Sequence, residues 1–328
     1  MYGNVDALLQ WMKTFANFLM SDVMDMNQSL ADPCMFYKKD GKIDLVLLVV
    51  VFVDNVLLGG TEKMVKWFKT KISTRFNFTD LGKLRKHLGV WYEWGRDKNG
   101  DTFIKATMDS LIDETIEAFR NMTGHYASAV SMPGYPGKVL QKHKGEEPVM
   151  LDKFRSLTGK IMYVEQKIMP MIANAARKLA QHMSHPGEEH WKALECLVGY
   201  LGTTKGKGLI YRRPKELQLV SWADLNYATN EDTRRSVSGI INTLGGGTIT
   251  NWTSKTQATV TLSSMEAEYL SLLLCTQDLR FTQMLLNEID TSVTPGIIHD
   301  DNTGAIFLVK NSQVGFQTKH IDVRHHFI

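Results

Sequence analysis

The chain has 328 residues, 43% of them hydrophobic, and 38 Lys and Arg against 35 Asp and Glu give a formal charge of +3. That length suffices for two cores or more, while the charge is too small to mark a nucleic-acid protein by itself. Three scattered cysteines, Cys34, Cys196 and Cys275, exclude a disulfide framework and point to a reducing compartment, cytoplasm or nucleus. The start, Met1-Tyr2-Gly3-Asn4-Val5-Asp6, has no basic stretch ahead of an apolar one, so no signal peptide is expected. The longest apolar run, Leu45 to Val53, is far short of the roughly 18 residues that span a bilayer, so no membrane partner is expected and a buried strand explains the run better.

In chain order, residues 1–130 alternate helix, strand and strand in an α+β pattern, with an amphipathic helix predicted over Thr107 to Arg120. Ser131 to Pro148 holds three of the eight prolines together with glycine and charge, as surface linkers do. Leu151 to Leu201 reads as mainly helical, with a second helix starting after His185-Pro186-Gly187, where Glu188 and Glu189 suit the positive end of the helix dipole. Leu217 to Asp224 reads as a strand ending in a polar turn, so Asp224 is placed at a crevice. Ser236–Leu244 and Thr248–Trp252 follow as strands joined by Gly245-Gly246-Gly247, a hairpin signal.

The period then changes from two to 3.6. Ser263-Ser264-Met265-Glu266 fits a capping box, which gives Glu266 a structural task. Glu268, about 200° further round the helix, lacks a local partner and is the preferred ligand candidate, with Glu266 behind it. The helix continues through Leu270, Leu273, Leu274 and Leu285 as an apolar stripe. Gly296 to Asp301 reads as a short buried strand opening at Asp301 into a helix from Thr303 to Lys310, and Asp301 doubles as a candidate N-cap. Three separated carboxylates, Asp224, Glu268 and Asp301, are the donor type that gathers hard cations such as Mg²⁺.

Other clusters have plainer readings. The basic groups Lys63-Lys66-Lys69-Lys71, Lys83-Arg85-Lys86, Lys205-Lys207 and Arg212-Arg213-Lys215 read singly as solvated faces. His182, His185 and His190 with Cys196 match no zinc-finger spacing and read as solvated turn histidines, and His320, His325 and His326 as a frayed terminus. Trp91, Tyr92 and Trp94 suit either base stacking or a strand that buries alternate aromatics.

The ordered motifs Trp222-Ala223-Asp224, Asp232-Thr233-Arg234-Arg235-Ser236-Val237-Ser238-Gly239, Leu244 to Gly247, Trp252-Thr253-Ser254-Lys255, Leu262 to Tyr269, Asp301-Asn302 and Thr318 to Arg324 resemble the ribonuclease H domain of copia-type retrotransposon polyproteins. Upstream, Asp32-Pro33-Cys34, Lys38-Lys39-Asp40-Gly41, Leu45 to Asn55, Asp80-Leu81-Gly82 with Leu88-Gly89, and His190 to Leu194 with Tyr200 to Thr203 resemble the palm, thumb and connection of the same family's reverse transcriptase. The resemblance implies a fold of α+β and α/β type: a truncated palm/thumb over residues 1–130, a linker and helical connection over 131–215, and a ribonuclease H-like mixed sheet with flanking helices over 216–328, without its C-terminal end. It implies Asp224, Glu268 and Asp301 as catalytic ligands for Mg²⁺, with Mn²⁺ as substitute, acting on the RNA strand of an RNA–DNA hybrid. Arg234, Arg235, Lys255 and Lys319 become candidate nucleic-acid contacts. The rest of a Pol polyprotein becomes a candidate partner, and a cytoplasmic virus-like particle is the family's setting.

Three departures from the family pattern bear on activity. The palm signature carries two adjacent Asp, whereas this chain has Asp54 followed by Asn55, so polymerase activity is expected to be lost. Met169-Pro170-Met171 stands where the family has Arg-Pro-Asp. The family's fourth catalytic Asp falls downstream of the Lys319-His320-Ile321-Asp322-Val323-Arg324 segment, past Ile328, so a weakened cation site is expected. The alternative is an inactive retroelement remnant that at most binds nucleic acid.

Overall fold

The computed structural model describes residues 5–41, 44–135, 139–227, 233–261, 263–290 and 293–311. It is a mixed α and β structure with three four-stranded sheets among these residues, and its contacts divide it into two compact units. No helix among the described residues is long and apolar enough to cross a membrane.

The first unit holds the described residues up to Leu84 together with Asp278–Pro295. Its elements are α1 (Val5–Leu19), β1 (Asn27–Gln28), β2 (Met35–Asp40), β3 (Asp44–Phe52), β4 (Asn55–Gly60) and α2 (Glu62–Ile72), with the strands in antiparallel order β1-β2-β3-β4. The apolar run of β3 is explained by burial: Leu47, Val49 and Val51 join Phe15, Phe18, Phe36 and Phe68 in one core. The helix α2 is set locally. Thr61 Oγ1 accepts from the Met64 N–H at 3.4 Å, Glu62 lies in the first turn, and Lys69 and Lys71 lie in the last, where they favour the dipole. Within the same unit, the Glu288 carboxylate accepts from the backbone N–H groups of Leu30 and Ala31 at 2.9 and 3.3 Å.

The second unit, Arg85–Gln277 with the described residues from Gly296 on, is the larger. Its first part runs β5 (Lys86–His87), β6 (Val90–Arg96), β7 (Thr102–Thr107), α3 (Asp109–Thr123), α4 (Leu151–Ile168), a 3₁₀ turn over Pro170–Ile172, α5 (Ala173–Ala180), α6 (Glu188–Thr204) and β8 (Leu209–Arg212). The sheet β5-β6-β7-β8 and the four helices share one core, built on Met108, Ile112, Phe119, Phe154, Leu157 and Leu194. The remaining elements are β9 (Gln218–Asn226), β10 (Val237–Leu244), β11 (Thr248–Thr256), α7 (Ser264–Ile289, counted with the first unit from Asp278 on), β12 (Thr294–His299, counted with the second unit from Gly296 on) and α8 (Thr303–Asn311), with strand order β11-β10-β9-β12. The glycine hairpin forms as expected, with Gly245 and Gly246 at φ +60° and +83°. A Cβ on Gly245 would lie 2.3 Å from Pro214 Cβ, so both conformation and space demand glycine there.

Several expectations need correction. The 124–150 stretch forms no helix or strand among its described residues, yet it is tied down along α6: Thr203 Oγ1 donates to Val130 O at 2.8 Å and His190 Nε2 contacts Gln141 O at 2.9 Å. His182 and His190 are therefore not solvated turn histidines. Both are buried, stacked with ring centroids 3.8 Å apart. Of the β6 aromatics only Tyr92 packs against the core, while Trp91 and Trp94 remain 42% and 40% exposed. The fully buried stripe of α7 is Glu268, Leu272, Cys275 and Leu279; of the expected leucines Leu274 packs partly buried against that core, while Leu270, Leu273 and Leu285 are half-buried, because a run of consecutive leucines does not fix which arc of a helix faces the sheet. Finally, β12 is an edge strand beside β9, with Ile298 packed inward and Ile297 42% exposed, so it is half-buried rather than buried.

Candidate functional site

Strand alternation decides what β9 offers on each face. Leu219, Ser221 and Ala223 are buried, and Ala223 packs with Ile240, Leu272 and Cys275 of the α7 side. Trp222, Asp224 and Asn226 are exposed on the opposite face. Asp224 is not the last residue of its strand, which continues two residues to Asn226. Its backbone carbonyl accepts from Ser271 Oγ of α7 at 3.3 Å.

The start of α7 separates its two glutamates as expected. Ser263 Oγ accepts from the Glu266 N–H at 3.1 Å, which anchors the first turn. Glu268 lies on the buried stripe with only 7% of its surface exposed, and its Oε2 is buried with no hydrogen-bond partner. Burial first, then the neighbouring carboxylates Asp300, Asp301 and Asp224 in that order, push its pKa up to about 7.

That order singles out Asp300, which sequence reasoning passed over. Asp300 follows Ile298 at the strand period of two, and Ile298 packs in the core beside α7. One of its oxygens, Oδ1, accepts from the Asn302 N–H at 2.8 Å, while Oδ2 is buried and unpartnered. Burial and then Asp301 and Asp224 raise its pKa, against the lowering effect of the Asn302 bond. Asp301 is exposed and does not cap α8: Asn302 does, its Oδ1 accepting from the Ala305 N–H at 3.0 Å. The only sequence signal for Asp300 was its doublet with Asp301, too common a pattern to choose between neighbours.

Buried, unpartnered carboxylate oxygens whose pKa values are raised by burial and by neighbouring carboxylates match the chemistry of a hard divalent cation site. Geometry is less complete: among the described residues no group of three or more His, Cys, Asp or Glu stands together closely enough to hold a metal ion. The same holds for His182, His185, His190 and Cys196, which form no zinc site. At the other candidate centre, Asp54 sits in the two-residue turn of the β3–β4 hairpin, and Asn55 Nδ2 donates to Asp54 Oδ1 at 3.0 Å. Val53, beside it, has φ +56°, a strained value for a β-branched residue, and its carbonyl accepts from Trp11 Nε1 at 2.7 Å. The neutral amide next to Asp54 thus acts as a donor to the carboxylate instead of a second anionic ligand.

Of the candidate nucleic-acid contacts, Arg234, Arg235 and Lys255 are exposed at one end of the β10–β11 ladder, where Ser238 pairs with Lys255. Arg234 adopts φ +54°. Lys319, His320, His325 and His326 lie outside the described residues, as do Asp232, Leu262 and the Thr318 to Arg324 motif.

Comparison with known proteins places these features in a family. Residues 1–133 match the reverse transcriptase (RNA-dependent DNA polymerase) family. Over its whole length the chain is 29% identical to the retrovirus-related Pol polyprotein from transposon TNT 1-94 of Nicotiana tabacum, and 28% identical to that from transposon RE1 of Arabidopsis thaliana. It covers 24% and 22% of those relatives, so it spans about a quarter of the length of the Pol polyproteins it matches. A stretch of 125 residues is also 39% identical to the secreted RxLR effector protein 161 of Plasmopara viticola, covering 38% of this chain and 87% of that protein. The chain is thus similar over its whole length to retrotransposon Pol polyproteins, and it carries a reverse transcriptase-like region.

Proposed function

We propose that this Pol-derived chain has lost polymerase chemistry and acts through residues 216–328 as a ribonuclease H-like hydrolase of the RNA strand in RNA–DNA hybrids. The single observation that carries this reading is the buried Glu268, unpartnered at Oε2 and raised to about 7 by burial and by Asp300, Asp301 and Asp224. Such a group is a perturbed carboxylate with a stated cause, the mark of a functional site more often than of a structural one.

Asp224, Glu268 and Asp301 would hold Mg²⁺, or Mn²⁺ in its place. The cation's chemistry, when bound, is to generate a nucleophile from water and to stabilise the leaving 3′ oxygen of an RNA phosphodiester. The chain's own part is to supply hard oxygen donors on three elements fixed by packing, β9, α7 and the β12–α8 junction. The Ser271 bond to the Asp224 carbonyl holds β9 against α7, and the Asn302 cap holds the turn that carries Asp300 and Asp301. Arg234, Arg235, Lys255 and Lys319 are proposed contacts to hybrid phosphates, and the domain division at 130 and 215 is part of the same proposal.

The test is cleavage of the RNA strand of a labelled RNA–DNA hybrid with Mg²⁺, with Mn²⁺ and with chelator, comparing the chain with Asp224→Asn. Metal-dependent cutting that disappears in the variant is expected. A second reading, a remnant that binds hybrid without turnover, is favoured by the lack of three converging donors among the described residues. A folded sample that binds hybrid and never cuts it would select that reading.

A further inference from the structure

The face of the β9–β11 sheet that carries Asp224 is not open solvent. Opposite it stands α5, and between them is a cavity of about 520 Å³. Among the described residues Asp224 is the only carboxylate in its lining, against two cations, Arg177 and Lys178, and the amides of Asn174, Gln181 and Asn226.

Arg177 is the unusual member. Its guanidinium is partly buried and donates to three neutral acceptors: Ser254 Oγ at 3.3 Å, Thr256 Oγ1 at 3.0 Å and Asn174 Oδ1 at 2.8 Å. It makes no ion pair with a carboxylate among the described residues. A guanidinium has five N–H donors in a rigid fork, so donors remain for an anion, and a planar bidentate anion is what that fork fits. Burial without a counter-charge lowers its pKa, the direction expected where an anion is wanted. Lys178, next in sequence, is exposed at the cavity rim.

The second feature is aromatic. Trp222 lines the cavity with 46% of its surface exposed, and its ring stacks on His299 with centroids 5.6 Å apart. The histidine backs the indole and fixes its plane. A fixed, exposed indole beside a pair of cations is the arrangement that seats a base and its phosphate.

We propose that this cavity seats one nucleotide of a single-stranded nucleic-acid segment, its phosphate on Arg177 and Lys178 and its base against Trp222. The volume lies in the range of nucleotide-sized ligand sites. Arg177 also bonds Ser254 and Thr256 of β11, so strand and sheet would be clamped by the same guanidinium. The choice of nucleic acid as ligand rests on the proposed function, but the site needs no metal and no turnover.

The test is therefore binding, measured in chelator. Fluorescence anisotropy of a short labelled single-stranded oligonucleotide is followed through a salt series for the full chain and for Arg177→Gln, Lys178→Gln and Trp222→Leu, with an abasic oligonucleotide and inorganic phosphate as competitors. Each lost cation is expected to weaken binding about fivefold near 0.1 M salt and to flatten the log–log salt slope by ~0.7. Trp222→Leu is expected to weaken binding about tenfold without changing the slope, and the abasic strand to compete correspondingly less well. Should Arg177→Gln fail to fold, the exposed Lys178 and Trp222 variants decide. Wild-type binding by those two variants at an unchanged melting temperature would overturn the proposal, as would full displacement of the strand by equimolar inorganic phosphate, which would mark an anion site alone. A wild-type chain that binds the oligonucleotide but never cuts hybrid with any metal would refute the nuclease reading and leave this one standing.

Discussion

The sharpest consequence of the buried carboxylates is a pH dependence of stability with an unusual sign. Glu268 rises from an ordinary 4.5 to about 7 in the folded chain, so between those values the native state binds a proton that the unfolded state has released. Stability must then fall as pH rises through that window. A shift of this size corresponds to roughly 3 kcal/mol, a large part of the 5–15 kcal/mol that holds a typical domain together. Glu268→Gln removes the ionisation while keeping the shape. Urea denaturation in chelator, followed by tryptophan fluorescence at steps from about pH 4.5 to 8, should show the wild type losing about 3 kcal/mol that the variant keeps. Mg²⁺ should restore part of the wild-type loss above pH 7 and do nothing for the variant, since a cation that binds only the folded, ionised site adds to stability by mass action. Parallel pH profiles for the two proteins would show that the carboxylates are solvated, and the argument from burial would be wrong.

Other perturbations test the framework of the second unit. His190, whose Nδ1 accepts from the Gly187 N–H at 2.8 Å and whose Nε2 contacts Gln141 O, has its pKa lowered, by burial first. The native state therefore favours neutral His190, and this group should cost stability as pH falls below about 6.5; His190→Ala should lose ~2 kcal/mol at pH 8 and show less acid sensitivity in thermal melts. Trp252→Phe strands the Glu165 carboxylate, which now accepts from Trp252 Nε1 at 2.9 Å, at a cost of about 1–3 kcal/mol that Glu165→Gln should partly reverse in the double variant. Asn302→Ala removes the cap of α8 and should cost ~0.5–2 kcal/mol by urea denaturation, while loosening the turn that carries Asp300 and Asp301.

What the sequence disclosed and what it withheld follow from how local each determinant is. The start of α6 after Gly187, the Ser263 anchor of α7 and the glycine turn between β10 and β11 depend on residues within a few positions of one another, and all three could be read directly. The burial of His182 and His190 depends on a strap without regular structure lying along α6, a long-range contact that leaves no periodic trace. The choice between Asp300 and Asp301 was equally hidden. Adjacent residues leaving a strand point to opposite sides, and which side is buried is settled only once β12 has found β9 and α7 has covered that face. For the same reason the leucine-rich stretch of α7 could not reveal that Glu268 shares its buried stripe with Leu272 and Cys275.

The two acidic centres of the chain differ in a way that bears on where chemistry can reside. At the β3–β4 hairpin, Asp54 is exposed and its neighbour Asn55 already donates to it; nothing there is strained by an unmet charge. On α7 and after β12, by contrast, Glu268 Oε2 and Asp300 Oδ2 are buried with no donor to meet them, a state that costs ~1–3 kcal/mol for each group and more when both ionise. A fold sustains that cost through the packing of Leu272, Cys275, Ala223 and Ala305 around the site, and a cation or a proton relieves it. At low pH the proton does so, which is the origin of the inverted pH profile. Near and above pH 7 that proton is released, and a divalent cation is the remaining partner whose charge and hardness match the donors. The pH at which Mg²⁺ begins to protect the chain against urea should therefore track the Glu268 ionisation, and protection that is equally strong at pH 5 would mean that the ion binds somewhere else.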